Sequence, residues 1–139
     1  MQKVRILGLA TTLVASLMLM TGCALLDNHS NLTIATVMED AGESSEDVTT
    51  NPRDITEDEC PSTSDCIEAY STDEANYYRF STREEAKTFA DSLDDGFVSH
   101  YIVMNFAGKT DTTKLSQQRA MERLASTWQD DEGTFPDRD

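Results

Sequence analysis

The sequence predicts a small α+β domain of β-β-α-β-α order, with a three-stranded sheet (strand order 2-1-3) packed by two helices. Three observations carry that expectation. Two aromatic, β-favouring runs are separated by a short polar turn. A helix-capping pattern opens an amphipathic stretch, and a second amphipathic stretch follows a long apolar run. At 139 residues the chain has room for one domain.

The first two runs are CIEAYST, Cys66 to Thr72, and NYYRF, Asn76 to Phe80, joined through Asp73-Glu74-Ala75. They read as a β-hairpin. Next, Ser81-Thr82-Arg83-Glu84 has the S-x-x-E form in which Ser81 caps free helix amides and Glu84 returns a bond. In the helix that follows, Ala86, Phe89, Ala90 and Leu93 fall on one face. Gly96 is placed to end it in a left-handed C-cap.

FVSHYIVMNF, Phe97 to Phe106, is the most apolar stretch after the N-terminus and reads as one central strand. A second helix is expected from Thr112 to Trp128. Met121, Leu124, Ala125 and Trp128 form its apolar stripe, and Leu115 extends it. If the strands at 76–80 and 97–106 run parallel, the passage between them is right-handed, and the first strand lies between both as in a split βαβ unit.

The flanks have a different character. Between Ala24 and Glu59 the residues are mostly polar, with Arg53 the only Lys or Arg among many carboxylates. Such a segment buries too little apolar surface to offset the entropy of ordering, so residues 23–59 read as a disordered acidic tether. As a coil it reaches roughly 30 to 36 Å. Its one apolar patch, Leu32 to Met38, suits a turn of helix or a strand. The domain then spans residues 60–130, and residues 131–139, DEGTFPDRD, form a disordered acidic tail.

The N-terminus has three zones. Lys3 and Arg5 form a positive start, and Ile6 to Met20 form an uncharged apolar run. At about 15 residues the run is short of the roughly 18 to 20 that span a bilayer, so it reads as an export signal. Met20-Thr21-Gly22-Cys23 then resembles the lipobox of bacterial lipoproteins, with Met20 where that family usually has Leu. The resemblance implies a signal peptide over 1–22, cleavage between Gly22 and Cys23, and diacylglycerol and acyl chains on the Cys23 thiol. It implies no other cofactor. The protein is then lipid-anchored on the extracytoplasmic face of a cell membrane. Ala24 implies the outer membrane if the cell is Gram-negative.

With Cys23 lipidated, Cys60 and Cys66 remain as a pair, and an oxidising compartment favours a disulfide between them. Pro61-Ser62-Thr63-Ser64-Asp65 is rich in turn formers and lets the chain double back. A bridge closing so short a loop is worth on the order of 2 to 2.5 kcal/mol. C-x5-C is wider than the usual zinc spacing and no second Cys pair follows, so no metal site is expected.

The charge balance, 11 Lys+Arg against 26 Asp+Glu for a net charge of −15, argues against nucleic acid as a partner. No Walker loop, G-x-S-x-G, H-E-x-x-H or Ca²⁺ loop occurs. Tyr70, Tyr77, Tyr78 and Tyr101 are the candidate binding surface, because tyrosines on a small sheet offer flat, amphipathic contact area. YYRFSTREEAKTFADSL resembles, over 17 residues, the strand-to-helix opening of SPOR-type peptidoglycan-binding domains, although no final strand follows the second helix. That points toward envelope binding. The leading expectation is a non-catalytic module that binds an envelope protein or a cell-wall component. The alternative is a small envelope enzyme or enzyme-inhibitory module using His100 and nearby carboxylates.

Overall fold

The computed structural model describes residues 31–42, 49–61, 64–128 and 138. The expected signal segment, its cleavage site at Gly22-Cys23 and the lipidation site Cys23 lie outside the described residues. The chain forms helix α1 (Ile34–Gly42), strand β1 (Arg53–Asp54), a short helix α2 (Thr56–Glu59), strands β2 (Cys66–Ser71) and β3 (Asn76–Phe80), and helix α3 (Arg83–Asp91). Strands β4 (Gly96–Ser99) and β5 (Ile102–Asn105) and helix α4 (Lys114–Ser126) follow. The class is α+β, as expected, but the sheet has five strands in the order β1-β2-β3-β5-β4, and every pair is antiparallel.

The three-stranded sheet of order 2-1-3 is therefore corrected. The run 97–106 is two strands, with Ser99 paired to Ile102 across a two-residue loop, His100-Tyr101. His100 has a φ of 52°, the positive value that the first position of a tight hairpin loop requires. Folding back there places β5 beside β3, so β3 takes the centre and no parallel crossover forms. The β2–β3 hairpin matches expectation. Its turn is held by the buried Thr72 hydroxyl, which accepts from the amides of Glu74 and Ala75, both at 3.2 Å.

Helices cover both faces of the sheet, and two cores result. On one side Ile34, Val37 and Met38 of α1 and Ala120, Met121, Leu124 and Ala125 of α4 pack with Tyr77, Ile102 and Met104. On the other, Ile55, Ala69, Tyr78, Phe80 and Val103 pack with Ala86 and Phe89 of α3 and with both cysteines. The helix at 112–128 forms as expected except at Leu115, which is 60% exposed. Four residues before Met121 stands Gln117, and Gln117 is the residue that the stripe buries. The capping box of α3 sits one residue later than expected. Thr82 accepts from the Glu85 amide at 3.2 Å, and Glu85 accepts from the Thr82 amide at 3.0 Å. The helix ends at Ser92 in an ordinary helical conformation, so Gly96 is not its cap. A Cβ on Gly96 would come within 2.9 Å of the Leu93 side chain, and glycine here permits that close approach.

The segment expected to be a tether contributes structure. α1 packs on β2 and β3, and β1 adds an edge strand to β2. The reason is polar as much as apolar. The Glu68 carboxylate on β2 accepts from the amides of both Ile34 and Ala35 at 2.9 Å, capping α1 from 34 residues away. Glu74, only 2% exposed, accepts from the amide and hydroxyl of Thr50 at 2.9 and 2.5 Å. The Thr56 hydroxyl both donates to the Ala69 carbonyl and accepts from the Ala69 amide, hanging α2 on β2.

Arg138, inside the expected acidic tail, is also buried. Its guanidinium forks onto the Asp95 carboxylate at 2.7 and 2.9 Å, reaches the Gln117 carbonyl oxygen at 3.1 and 2.9 Å, and lies 3.7 Å from the Phe106 ring centre. A chain rich in acids thus spends one of its few bases on closing the fold.

Two outcomes are expected. Glu68→Ala removes the acceptor from two helix amides and should lower the unfolding free energy by roughly 2 to 4 kcal/mol. Urea denaturation measures the loss, and exchange protection at the Ile34 and Ala35 amides should fall with it. The second concerns pH. The hydrogen bonds from Arg138 hold the Asp95 carboxyl below its ordinary range against the opposing effect of burial, aided by the charges of Arg138 and Lys114. A carboxylate depressed in the folded state stabilises above its unfolded pKa, near about 4, and loses that contribution as pH falls through the folded value. Thermal melting from neutral to acid should therefore show Asp95→Asn less stable than the parent at pH 7, with the gap closing below about pH 4.

Candidate functional site

A groove of about 560 Å³ opens on the α3 side of the sheet, between β3, α3 and the loop closed by the Cys60–Cys66 disulfide. Its floor follows from strand alternation. Tyr78 and Phe80 are two apart on β3 and point to the same side, where Phe89 of α3 meets both rings. The Tyr78–Phe89 ring centres lie 5.0 Å apart and the Phe80–Phe89 centres 5.2 Å, both in tilted contact.

The far wall depends on a β-bulge. Cys66 pairs with Phe80 and Glu68 with Arg79, which leaves Ile67 as an extra residue, 45% exposed. The bulge turns Cys66 to the α3 side although Glu68, two residues on, faces α1. Cys66 can then meet Cys60 at the end of α2, with the Cα atoms 5.1 Å apart. The disulfide expected from the cysteine count is present. Ser64 bonds back to the Pro61 carbonyl through its amide and its hydroxyl, at 2.8 and 2.9 Å, shaping the loop between the cysteines.

Four carboxylates border the groove: Glu59 from the end of α2, Asp65 from the loop, and Glu84 and Glu85 from the first turn of α3. Among the described residues no lysine or arginine lines it. Glu85 is partly committed to its capping bond and Glu59 to a hydrogen bond with the Tyr78 phenol, and Glu59, Asp65 and Glu84 are exposed. Burial raises the pKa of the Tyr78 phenol, and the neighbouring charge of Glu59 raises it further, against a hydrogen bond with Asn76. Tyr78 is thus a neutral hydroxyl at the base of an acidic rim.

The four tyrosines do not form one surface. Tyr77, 2% exposed, points into the α1–α4 core, and burial strongly raises its pKa, with Glu74 adding to the effect. Tyr70 is half-buried against the same core, and its pKa is raised first by burial and then by the charges of Asp54 and Glu68. Tyr101 lies in the β4–β5 turn with the Arg83 guanidinium 5.6 Å from its ring centre. Only Tyr78 reaches the groove. His100 stacks on Trp128, ring centres 4.6 Å apart and planes 14° apart, and so belongs with the α4 side of the sheet. The groove and the histidine lie on different sides. Among the described residues no group of three His, Cys, Asp or Glu side chains is placed to hold a metal ion.

A second hollow of about 310 Å³ lies between Asn51, Arg53, Asp73, Lys109 and Asp111. Its charges are mixed. The Lys109 amine is committed to the Ser71 hydroxyl at 2.9 Å and the Thr72 carbonyl at 2.6 Å, fastening the loop after β5 to the β2–β3 turn.

No family model, curated protein or solved structure matches this chain.

The wall of the groove gives a direct test. The double variant Cys60→Ser, Cys66→Ser should be less stable than the parent by about 2 kcal/mol, because the open loop regains entropy when unfolded. The measurement is the urea midpoint without reductant. Adding reductant should bring the parent to the midpoint of the variant and leave the variant unmoved.

Proposed function

We propose that the chain is a non-catalytic binding module, held at the extracytoplasmic face of a membrane by lipid on Cys23, and that the groove between β3, α3 and the disulfide loop is its binding site. The observation that carries the binding reading is the groove itself, an aromatic floor of Tyr78, Phe80 and Phe89 beneath a rim of four carboxylates. Concave, largely apolar sites with a few polar groups at the edge are the usual form of a recognition surface. His100 stacks on Trp128 away from this groove, so the geometry gives no support to an enzyme built on that histidine.

The anchor rests on the sequence around Cys23. A charged start, a short apolar run and Met20-Thr21-Gly22-Cys23 resemble a lipobox, with Met20 in the place of the usual Leu. Lipid on Cys23 would need two or more acyl chains to hold stably, since a single chain binds a membrane only marginally. The partner is an envelope protein or a cell-wall component. Ala24 after the lipidated cysteine favours the outer membrane where the cell has two. A net charge of −15 opposes nucleic acid. No helix among the described residues is long and apolar enough to cross a membrane.

Radiolabelled palmitate supplied to cells expressing the full chain should enter the protein, and Cys23→Ala should abolish the label and leave an unprocessed, larger chain. Label that persists in Cys23→Ala, or an unmodified mature N-terminus at another residue, would refute the anchor.

A further inference from the structure

We infer that the groove takes a basic side chain, lysine or arginine, presented by a segment of a protein partner. The inference rests on reading the groove as the binding site and adds the chemistry of its occupant. Charge gives the sign. Glu59, Asp65, Glu84 and Glu85 border the groove, no described lysine or arginine lines it, and the whole chain carries −15. An anionic ligand would be repelled, and a wholly apolar one would take water from the rim carboxylates without replacing it.

The floor gives the shape. Phe89, only partly buried and backed in tilted contact by Tyr78 and Phe80, 7% and 4% exposed, offers ring surface on which the apolar stem of a lysine or arginine can lie, with the cation near a ring face. The carboxylates then accept charge-assisted hydrogen bonds from its N–H groups. Among the described residues no three acidic, histidine or cysteine side chains gather as a metal site, which favours an organic cation over a divalent ion. A volume of about 560 Å³ exceeds one side chain and accommodates a short segment. Thr88, also lining the groove, adds a hydroxyl that can bond the backbone of such a segment, and the Ser64 hydroxyl, which donates to the Pro61 carbonyl, can still accept from it.

The test titrates the full chain, purified in a non-ionic detergent, with a capped tetralysine peptide by calorimetry. The same peptide with every lysine acetylated keeps the stems and removes the charges, and spermine carries the charges without a peptide backbone. Tetralysine should bind with an affinity that falls as salt is raised. Acetylation, Phe89→Ala, and the double variant Glu59→Gln, Asp65→Asn should each weaken it by about ten-fold or more. The double variant alters only exposed residues, so it remains informative if Phe89→Ala fails to fold. Asp111→Asn with Glu122→Gln, away from the groove, should leave the affinity unchanged.

Equal binding of the acetylated peptide, still lost in Phe89→Ala, would overturn the cationic occupant while leaving the groove a binding site. Spermine binding as tightly as tetralysine would overturn the choice of a protein segment. Equal weakening by the distant pair would show attraction to the net charge alone and overturn the site. Absence of tetralysine binding would also overturn the inference.

Discussion

Strand β3 is covered on both faces, and the rest of the structure is arranged around that constraint. Alternation along Asn76–Phe80 sends Tyr77 into one core and Tyr78 and Phe80 into the other. An antiparallel sheet commonly leaves one face to water. Here neither face of the central strands is free, and Ile102, Val103 and Met104 of β5 are all fully buried. Helices are therefore needed on both sides. The sheet's exposed edges are short: β1 has two residues and β4 has four, which limits pairing with other chains.

Covering both faces of so small a sheet draws on distant pieces of chain, and polar groups, Glu74 and Gln117 fully buried among them, hold those pieces. Glu68 holds the first turn of α1, Glu74 holds Thr50, and Asp95 with Gln117 holds Arg138. Two of these three anchors, Glu68 and Glu74, hold their segment through backbone amides rather than through a basic side chain of that segment, although Glu68 also lies 3.8 Å from the Arg79 guanidinium. A carboxylate accepting two amides is a strong, charge-assisted arrangement, and its location on a rigid strand means that little further entropy is lost in forming it. The excess of acid is thus partly a structural material and partly a surface field.

Much of this was legible in the sequence where the signal is local. The β2–β3 hairpin announces itself by aromatic runs around a polar turn, and α3 and α4 by apolar residues three and four apart. Cys60 and Cys66 follow from counting. What escaped was long-range. The 97–106 run hides a hairpin because both faces of its two strands are covered, which erases alternation, and the turn at His100-Tyr101 contains no Gly, Pro, Asn or Asp. α1 shows only an apolar patch at Leu32 to Met38: Thr33 caps the Thr36 amide locally, but the acceptor of the Ile34 and Ala35 amides, Glu68, lies more than 30 residues downstream. Arg138 reads as one base among tail acids. Its partners Asp95 and Gln117 become its neighbours only after the sheet is built. The four tyrosines share a type but not a face, and a two-residue period separates Tyr77 from Tyr78 once β3 is known to be buried on both sides. Of the groove, only Tyr78 stood out beforehand as a binding residue, while Cys66, Glu84 and Phe89 were read in structural roles, because its wall, floor and rim come from three separate stretches: 59–66, 78–80 and 84–92.

The groove itself follows from the shortage of helix on the α3 side. Five strands at about 4.8 Å spacing span roughly 19 Å, whereas a helix with its side chains covers about 10 Å. α3 packs on β3, β4 and β5, and α2, a single turn, packs on β2. Between them no regular element among the described residues roofs the sheet, and Tyr78 and Phe80 are the side chains beneath the seam. The disulfide loop supplies the missing wall, and it can do so only because the bulge at Ile67 turns Cys66 toward α2. Without the extra residue, Cys66 would share a face with Glu68, on the side where α1 docks, and could not meet Cys60. The β-bulge, the disulfide and the open seam are therefore one construction, and the same register that lets Glu68 hold α1 on one face leaves an acid-rimmed aromatic hollow on the other.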